Sequence, residues 1–237
     1  MITVLQSSTE AKNAKKWLNE HELVAHPDLL KNWDYVNLCR LARAIPAGSS
    51  IVDFGCGPSR YGCTTLELFY LLGFDYLLGI DLHVPFYAHL GQRIRAVQRG
   101  VWNFPYRMQS GSLLNSKVPS ASANLVILLS AIEHGVPIKP LFQEVERILQ
   151  PGGFVYISTD YWPTPISTKE TASGAFGSKA LEWRIYTTES ILQLLELAEK
   201  SNLYLVKPGS IPRVKRPVIQ WKGCRYTFLS LTLRKKG

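Results

Sequence analysis

Short apolar runs that each end in a polar or glycine-rich turn recur through the middle of the chain. Ile51-Val52 ends in Asp53, and Phe74 to Leu82 (FDYLLGIDL) ends at Asp81. Arg107 to Asn115 (RMQSGSLLN) reads as a third strand and its loop. Asn124 to Gly135 (NLVILLSAIEHG) opens on a continuous apolar run, the pattern of a strand buried on both faces. Leu141 to Thr159 then gives helical spacing, a Pro-Gly-Gly turn, and a β-branched and aromatic strand. Between these runs the spacing is helical, as over Tyr61 to Leu72. Strand and helix in alternation predict a parallel sheet whose crossover helices cover both faces.

The flanks read differently. Residues 1 to 27 are expected to be poorly ordered or locally helical, with Trp17, Leu18 and Leu23 folding the segment back over the site. Asp28 to Ile45 predicts a helix that Pro46-Ala47-Gly48 ends. Residues 160 to 180 are rich in Pro, Gly, Ser and Thr, too long for a mere connection, and the pattern of a lid. A helix is predicted over Thr188 to Lys200, with Thr187 or Thr188 as its cap. Leu203 to Val206 and Tyr226 to Leu233 read as two final strands, antiparallel because no helix joins them.

The chemistry concentrates at residues 51 to 62, IVDFGCGPSRYG. Glycines at 55 and 57 let backbone approach a ligand closely, and the following helix start offers unpaired N–H groups to an anionic group. The spacing departs from the dinucleotide fingerprint, because Arg60 stands where its third glycine belongs and the next glycine is Gly62. The pattern Asp53-x-Gly55-x-Gly57 instead resembles motif I of the class I S-adenosylmethionine (SAM)-dependent methyltransferases, with Ser59 in place of the usual third glycine. Asp81 resembles the acid that receives a ribose diol, and an N-cap of the next helix is the lesser reading, compatible with the first. Family members often carry an acid for adenine in the third-strand loop; Ser112 occupies that slot here. Ala131-Ile132-Glu133-His134-Gly135 is similar to the loop of the small-molecule, "type 11"-like branch, and Arg147 to Gly153 (Arg-x-Leu-x-Pro-Gly-Gly) is a further echo.

The resemblance spans about residues 45 to 160. It implies an α/β fold: a Rossmann-like three-layer sandwich around a seven-stranded, mostly parallel sheet with an antiparallel last strand. With the flanks it gives an N-terminal helical segment at 1–46 expected to pack on or cap the site, and a methyltransferase domain at 47–237 with a lid insertion at about 160–186. SAM would be the cofactor and S-adenosylhomocysteine the product. Asp53, Gly55, Cys56, Gly57, Asp81, Leu82, Ser112, Leu113 and Ser130 would line its site. Cys56 reads as a small residue of the cofactor loop rather than a catalytic thiol.

Composition narrows the classes. The chain has 237 residues, 46% hydrophobic and 19% charged, which is a globular composition. No apolar run reaches membrane-spanning length, and Met1 to Glu10 lacks the apolar core of a signal peptide, so a cytoplasmic protein without membrane partners is expected. Cys39, Cys56, Cys63 and Cys224 form no Cys-x-x-Cys pair, and no metal is expected. Residues 200 to 237 hold ten of the 27 bases and none of the 18 acids, more than the whole net charge of +9. That strip is either a solvated edge or an attractor for an anionic acceptor.

His134, at the end of the fourth run, is the candidate general base, with Glu133 orienting it. Tyr161, Trp162, Trp183 and Arg184, with Glu133, are the candidate acceptor contacts; Arg184 would anchor an acid group. The reading is methyl transfer to an O or N atom of a small-molecule or peptide natural product, a carboxylate among the options. RNA methylation through the basic C-terminal region is the alternative. Nucleic acid is disfavoured, because the Ser130 to His134 loop has neither an Asn/Asp-Pro-Pro-Tyr/Phe motif nor a Pro-Cys nucleophile. A non-catalytic SAM-binding protein and a nicotinamide dehydrogenase fit the motifs less well. Oligomeric state stays open.

Overall fold

The computed structural model describes residues 1–57, 64–98, 106–168 and 183–237. The sheet strands are β1 (Ile2–Val4), β2 (Ser50–Phe54), β3 (Tyr76–Asp81), β4 (Tyr106–Ser110), β5 (Ala123–Leu129), β6 (Leu149–Tyr161), β7 (Leu203–Leu205), β8 (Ile219–Trp221) and β9 (Cys224–Lys235). The helices are α1 (Ser8–Glu20), α2 (Asn32–Ala42), α3 (Thr64–Leu71), α4 (Phe86–Gln98), α5 (Ile138–Ile148) and α6 (Thr188–Glu199). A 3-10 turn, Ile132–His134, follows β5.

Five strands run parallel in the order β4-β3-β2-β5-β6, and β9 lies antiparallel against β6. The strand count corrects the expectation of seven, since nine strands join the sheet among the described residues. The cause is the length of β9. Its outer edge takes β1 against Leu229 to Leu231 and β7 against Leu233 to Lys235, end to end. Its first residues form a hairpin with β8 through Lys222 and Gly223, both at positive φ as a tight two-residue turn requires. The N-terminal residues, expected to be poorly ordered or locally helical, hold helix α1 and also a sheet strand, a β-branched Ile-Thr-Val triplet stitched to β9.

Alternation along the strands builds two cores. Val126, Leu128, Val155, Ile157, Leu229 and Leu231 face α5 and α6. Ile51, Leu125, Ile127 and Tyr156 face the layer of α1 to α4. Burying each such aliphatic side chain stabilises the fold by about 1.5–3 kcal/mol. A third cluster, with Leu5, Trp33, Trp183, Tyr226 and Phe228, closes the end of the sheet near β9.

Local signals set the helix ends. The Thr187 hydroxyl accepts from the Ser190 N–H, and the Ser190 hydroxyl accepts from the Thr187 N–H, which fixes the start of α6. α2 begins four residues later than expected. The Asn32 amide donates to the carbonyls of His26, Asp28 and Leu29, and so stabilises a turn in place of a first helical turn. Arg147 of the Pro-Gly-Gly motif grips Glu144 with two nitrogens at 2.8 and 2.7 Å and donates to the Val118 carbonyl. These bonds hold the Glu144 carboxyl down at about 2. The motif arginine thereby ties α5 to the segment entering β5.

Candidate active site

The parallel strands all point their C-terminal ends to one side, where open α/β sheets bind ligands. Asp53 is buried at the end of β2. The chain then turns through Gly55 (φ +76°) and Gly57 (φ +72°), the left-handed region where glycine is at no steric disadvantage. The Gly55 N–H donates to the Ile80 carbonyl at 2.8 Å, and a Cβ built on Gly55 would stand 2.9 Å from Ala131 Cβ. A Cβ on Gly57 would meet nothing, so the space beside it is open. The Gly57 N–H donates to Asp81 Oδ2 at 3.0 Å, and the His83 N–H to Oδ1 at 3.3 Å. Asp81 thus locks the glycine turn to the end of β3 while remaining half-exposed.

The other expected cofactor residues separate by role. Cys56 Sγ packs where a Cβ on Gly79 would lie, 2.8 Å away, so the two strands approach closely there. Leu82 is 68% exposed beside Asp81. Ser112 accepts from the Leu114 N–H and shapes the loop after β4, while the Leu113 side chain sits in the α5–α6 core. Ser130 carries a positive φ of 51°, and its N–H donates to the Ser158 carbonyl, which ties the end of β5 to β6. Ser59, Arg60 and the predicted helix start at Tyr61 lie outside the described residues, as does most of the lid. The open turn at Gly57, the half-exposed carboxylate of Asp81 and the exposed apolar Leu82 suit a nucleoside carrying a charged tail.

Beyond Ser130 the site becomes acidic and buried. Glu133 is 1% exposed and accepts from the Thr159 hydroxyl at 3.1 Å. Asp160, on β6, accepts from Trp183 Nε1 at 2.8 Å. Burial raises both carboxyls, and the neighbouring Glu133 pushes Asp160 further, to about 7. His134 is lowered below the usual imidazole range, first by burial; Asp160 opposes that shift and Lys31 adds to it. Asp160 is thus the carboxyl that acts electrostatically on His134, while Glu133, the expected orienting residue, accepts from the Thr159 hydroxyl.

Residues 183–186 run beside the tip of β6. Arg184 N–H donates to the Glu133 carbonyl, Tyr186 N–H to Asp160, and Trp162 N–H to Tyr186. Trp162 and Trp183 pack in the aromatic cluster at this corner. Arg184 is exposed, and its guanidinium donates to the Tyr186 hydroxyl at 2.8 Å. Tyr161 departs from the expectation. Its ring lies in the α5–α6 core and its hydroxyl meets Thr188 at 2.9 Å, because successive residues of a strand face opposite ways and Asp160 takes the cleft side.

Two residues that sequence reasoning passed over complete the cluster. Lys31, only 8% exposed at the start of α2, reaches the Ser130 hydroxyl, and its Nζ lies 3.5 Å from the centre of the Phe228 ring. Asp34, one turn on, is fully buried and accepts from the Tyr156 hydroxyl at 2.8 Å. A lysine and an aspartate on the inner face of an amphipathic helix were the available signal, since such residues are seldom buried without partners.

The comparisons agree with this geometry. Residues 52–157 match the family model described as "Methyltransferase domain". A comparison with curated proteins finds no match. Among solved structures, the chain is similar to geranyl diphosphate C-methyltransferase from Streptomyces coelicolor A3(2), in complex with Mg2+, geranyl diphosphate and S-adenosyl-L-homocysteine. Identity there is 13%, coverage 95% of this chain and 98% of that one, and the TM-score 0.60. It is similar also to phosphoethanolamine N-methyltransferase 2 of Haemonchus contortus, in complex with S-adenosyl-L-methionine, at 15% identity and TM-score 0.60. That match covers 98% of this chain but 58% of the longer relative. A third is 1,6-didemethyltoxoflavin-N1-methyltransferase of Burkholderia thailandensis, at 18% identity, 97% and 80% coverage and TM-score 0.53. Gly-rich turn, terminal acid of β3, parallel order and matched segment converge: residues 52–157 match a methyltransferase domain, set in the fold that these methyltransferase structures share.

Proposed function

We propose that this protein methylates an oxygen or nitrogen that carries a proton, a hydroxyl or an amine of a small molecule, and removes that proton through His134 paired with Asp160. The observation that carries the reading is the pair of buried carboxyls, Glu133 and Asp160, at the tips of β5 and β6 beside the glycine turn, with the half-buried His134 within electrostatic reach of Asp160. When bound, SAM supplies a methyl group on a sulfonium, an electrophile that needs no further activation. Asp53, Gly55, Gly57, Asp81 and the Ser112–Leu113 loop are the residues that would hold it.

The protein's own task is positioning and proton removal. Trp162 and Trp183 supply flat apolar walls for the acceptor and exclude water. His134, kept neutral by burial, accepts a proton as the bond to the methyl forms, and Asp160 faces the imidazolium so produced. A carboxylate acceptor fits less well. It would enter a corner already holding Asp34, Glu133 and Asp160, and Arg184, its expected anchor, is engaged with Tyr186. Localisation in the cytoplasm and a role in natural-product biosynthesis remain expectations of the sequence; no helix among the described residues is long and apolar enough to cross a membrane.

Methyl-labelled SAM, incubated with the protein and fractionated cell extract, tests this. Label is expected in small molecules, as alkali-stable ethers or amines. Alkali-labile label would mark methyl esters, and label in RNA would make the basic C-terminal strip the substrate track; either overturns the reading.

A further inference from the structure

The domain match begins at residue 52, yet the charge that balances the acceptor corner comes from before it. We infer that Lys31, carried in by the N-terminal segment, is a positioning residue for methyl transfer: its ammonium is the buried counter-charge to the acidic corner at the tips of β5 and β6. The inference rests on the proton-removal reading above and adds to it a residue outside the matched domain.

Its placement and its electrostatic effects both support this. Lys31 is one of the few buried cations of the described chain, and its Nζ is held on two sides, by the Ser130 hydroxyl and the Phe228 face. It lies within Coulombic reach of Asp34, Glu133 and Asp160, three carboxyls that burial pushes toward the neutral form. For each of them Lys31 is the foremost influence in the opposite direction. A buried charge without such compensation neutralises itself.

Other groups face the cluster as well. His26 and Asp28 stand in the turn before α2; the lysine and Asp28 act on His26 in opposite directions. Tyr156 on β6 and Tyr226 and Cys224 on β9 are all raised, Tyr156, Tyr226 and Cys224 chiefly by burial, and so are neutral at working pH. Arg184 and Tyr186 form their own pair at the rim. None of these supplies a second buried positive charge. Removal of Lys31 therefore raises Asp160, and it also raises His134, which Lys31 now lowers. Both changes move the acid limb of the rate profile the same way, to higher pH.

The test is the pH–rate profile of methyl transfer for the wild type, Lys31→Met and Lys31→Arg, with SAM affinity measured alongside. Lys31→Met is expected to shift the acid limb upward by about one unit or more, to lose roughly tenfold in rate near neutrality, and to recover in alkali. Lys31→Arg, which keeps the charge, is expected to keep the wild-type limb. SAM affinity is expected to stay within about threefold in both. If Lys31→Met does not fold, Lys31→Gln carries the same expectation, because it keeps a donor for Ser130 without the charge. A rate lost equally at every pH, or a collapse of SAM affinity, would overturn the inference in favour of a scaffold role. A wild-type profile with no acid limb would instead overturn the proton-removal reading itself, so the two failures are distinguishable.

Discussion

His134→Ala is expected to lower kcat by about 10²- to 10⁴-fold and to leave SAM affinity unchanged, because a positioned general base contributes on that scale. The imidazole sits on the 3-10 turn after β5, within electrostatic reach of Asp160, and none of the hydrogen bonds that hold the glycine turn uses it. Loss of the ring removes the proton's destination without disturbing Gly55, Gly57 or Asp81. The sign of the accompanying pH effect follows from the two groups. Burial lowers His134, so its free-base form is present at neutral pH, while Asp160 is raised to about 7. As pH falls through about 7, Asp160 gains a proton, then His134 follows, and the rate falls with them. Asp160→Asn should therefore flatten the upper part of that limb and lower the plateau. Single-turnover methyl transfer across pH, with calorimetric SAM titration of the same variants, checks both halves. An acceptor carboxylate would need no base, and His134→Ala would then be nearly silent.

Gly55→Ala is expected to weaken SAM binding by about 10- to 100-fold, and to destabilise the fold by roughly 1–3 kcal/mol, the range for a residue forced into a sparsely populated backbone region. Two costs combine at this position. The φ of +76° is strained for any side chain, and the added Cβ would lie 2.9 Å from Ala131 Cβ, a rigid neighbour on the loop that leads to Glu133 and His134. Relief requires the β2 turn and the β5 loop to part, which opens the cofactor turn. Gly57→Ala separates ligand approach from packing. Its φ is similarly positive, but its Cβ would meet no protein atom. It should cost backbone strain alone in the free protein, yet a comparable loss of SAM affinity if the cofactor fills the open space. Thermal melts with and without SAM read the two contributions. Wild-type SAM affinity in Gly55→Ala would remove the turn from the cofactor site.

What was legible in the sequence follows from range. The parallel strands announce themselves because β2, β3, β5 and β6 are apolar runs with local turn chemistry at each end, and Asp53, the glycines and Asp81 fall at strand tips by position alone. The cap at Thr187 is likewise a four-residue signal. β1 was not legible. Three β-branched residues carry little pattern, and their reason for being a strand is β9, more than two hundred residues away. Lys31 and Asp34 were hidden for a related cause. Their spacing belongs to an ordinary amphipathic helix, and only the docking of α2 over the tips of β5 and β6 turns them into site residues. Tyr161 was misread for the opposite reason. It neighbours Asp160 in sequence, but the two-residue period of β6 sends the two side chains to opposite faces, and the register that decides which face each takes is set by β9.

The central claim is that His134, beside the buried carboxyls of Glu133 and Asp160, removes a proton from the methyl acceptor. The pH dependence of methyl transfer by the wild-type protein, measured at saturating SAM, tests it most directly. The account predicts a rate that falls about tenfold per pH unit on the acid side, with its midpoint at or below about 7, while SAM affinity stays level. A rate that holds constant from pH 5 to 9 (roughly the span over which such groups titrate) would contradict it, and would leave the cluster a structural feature of the sheet's edge.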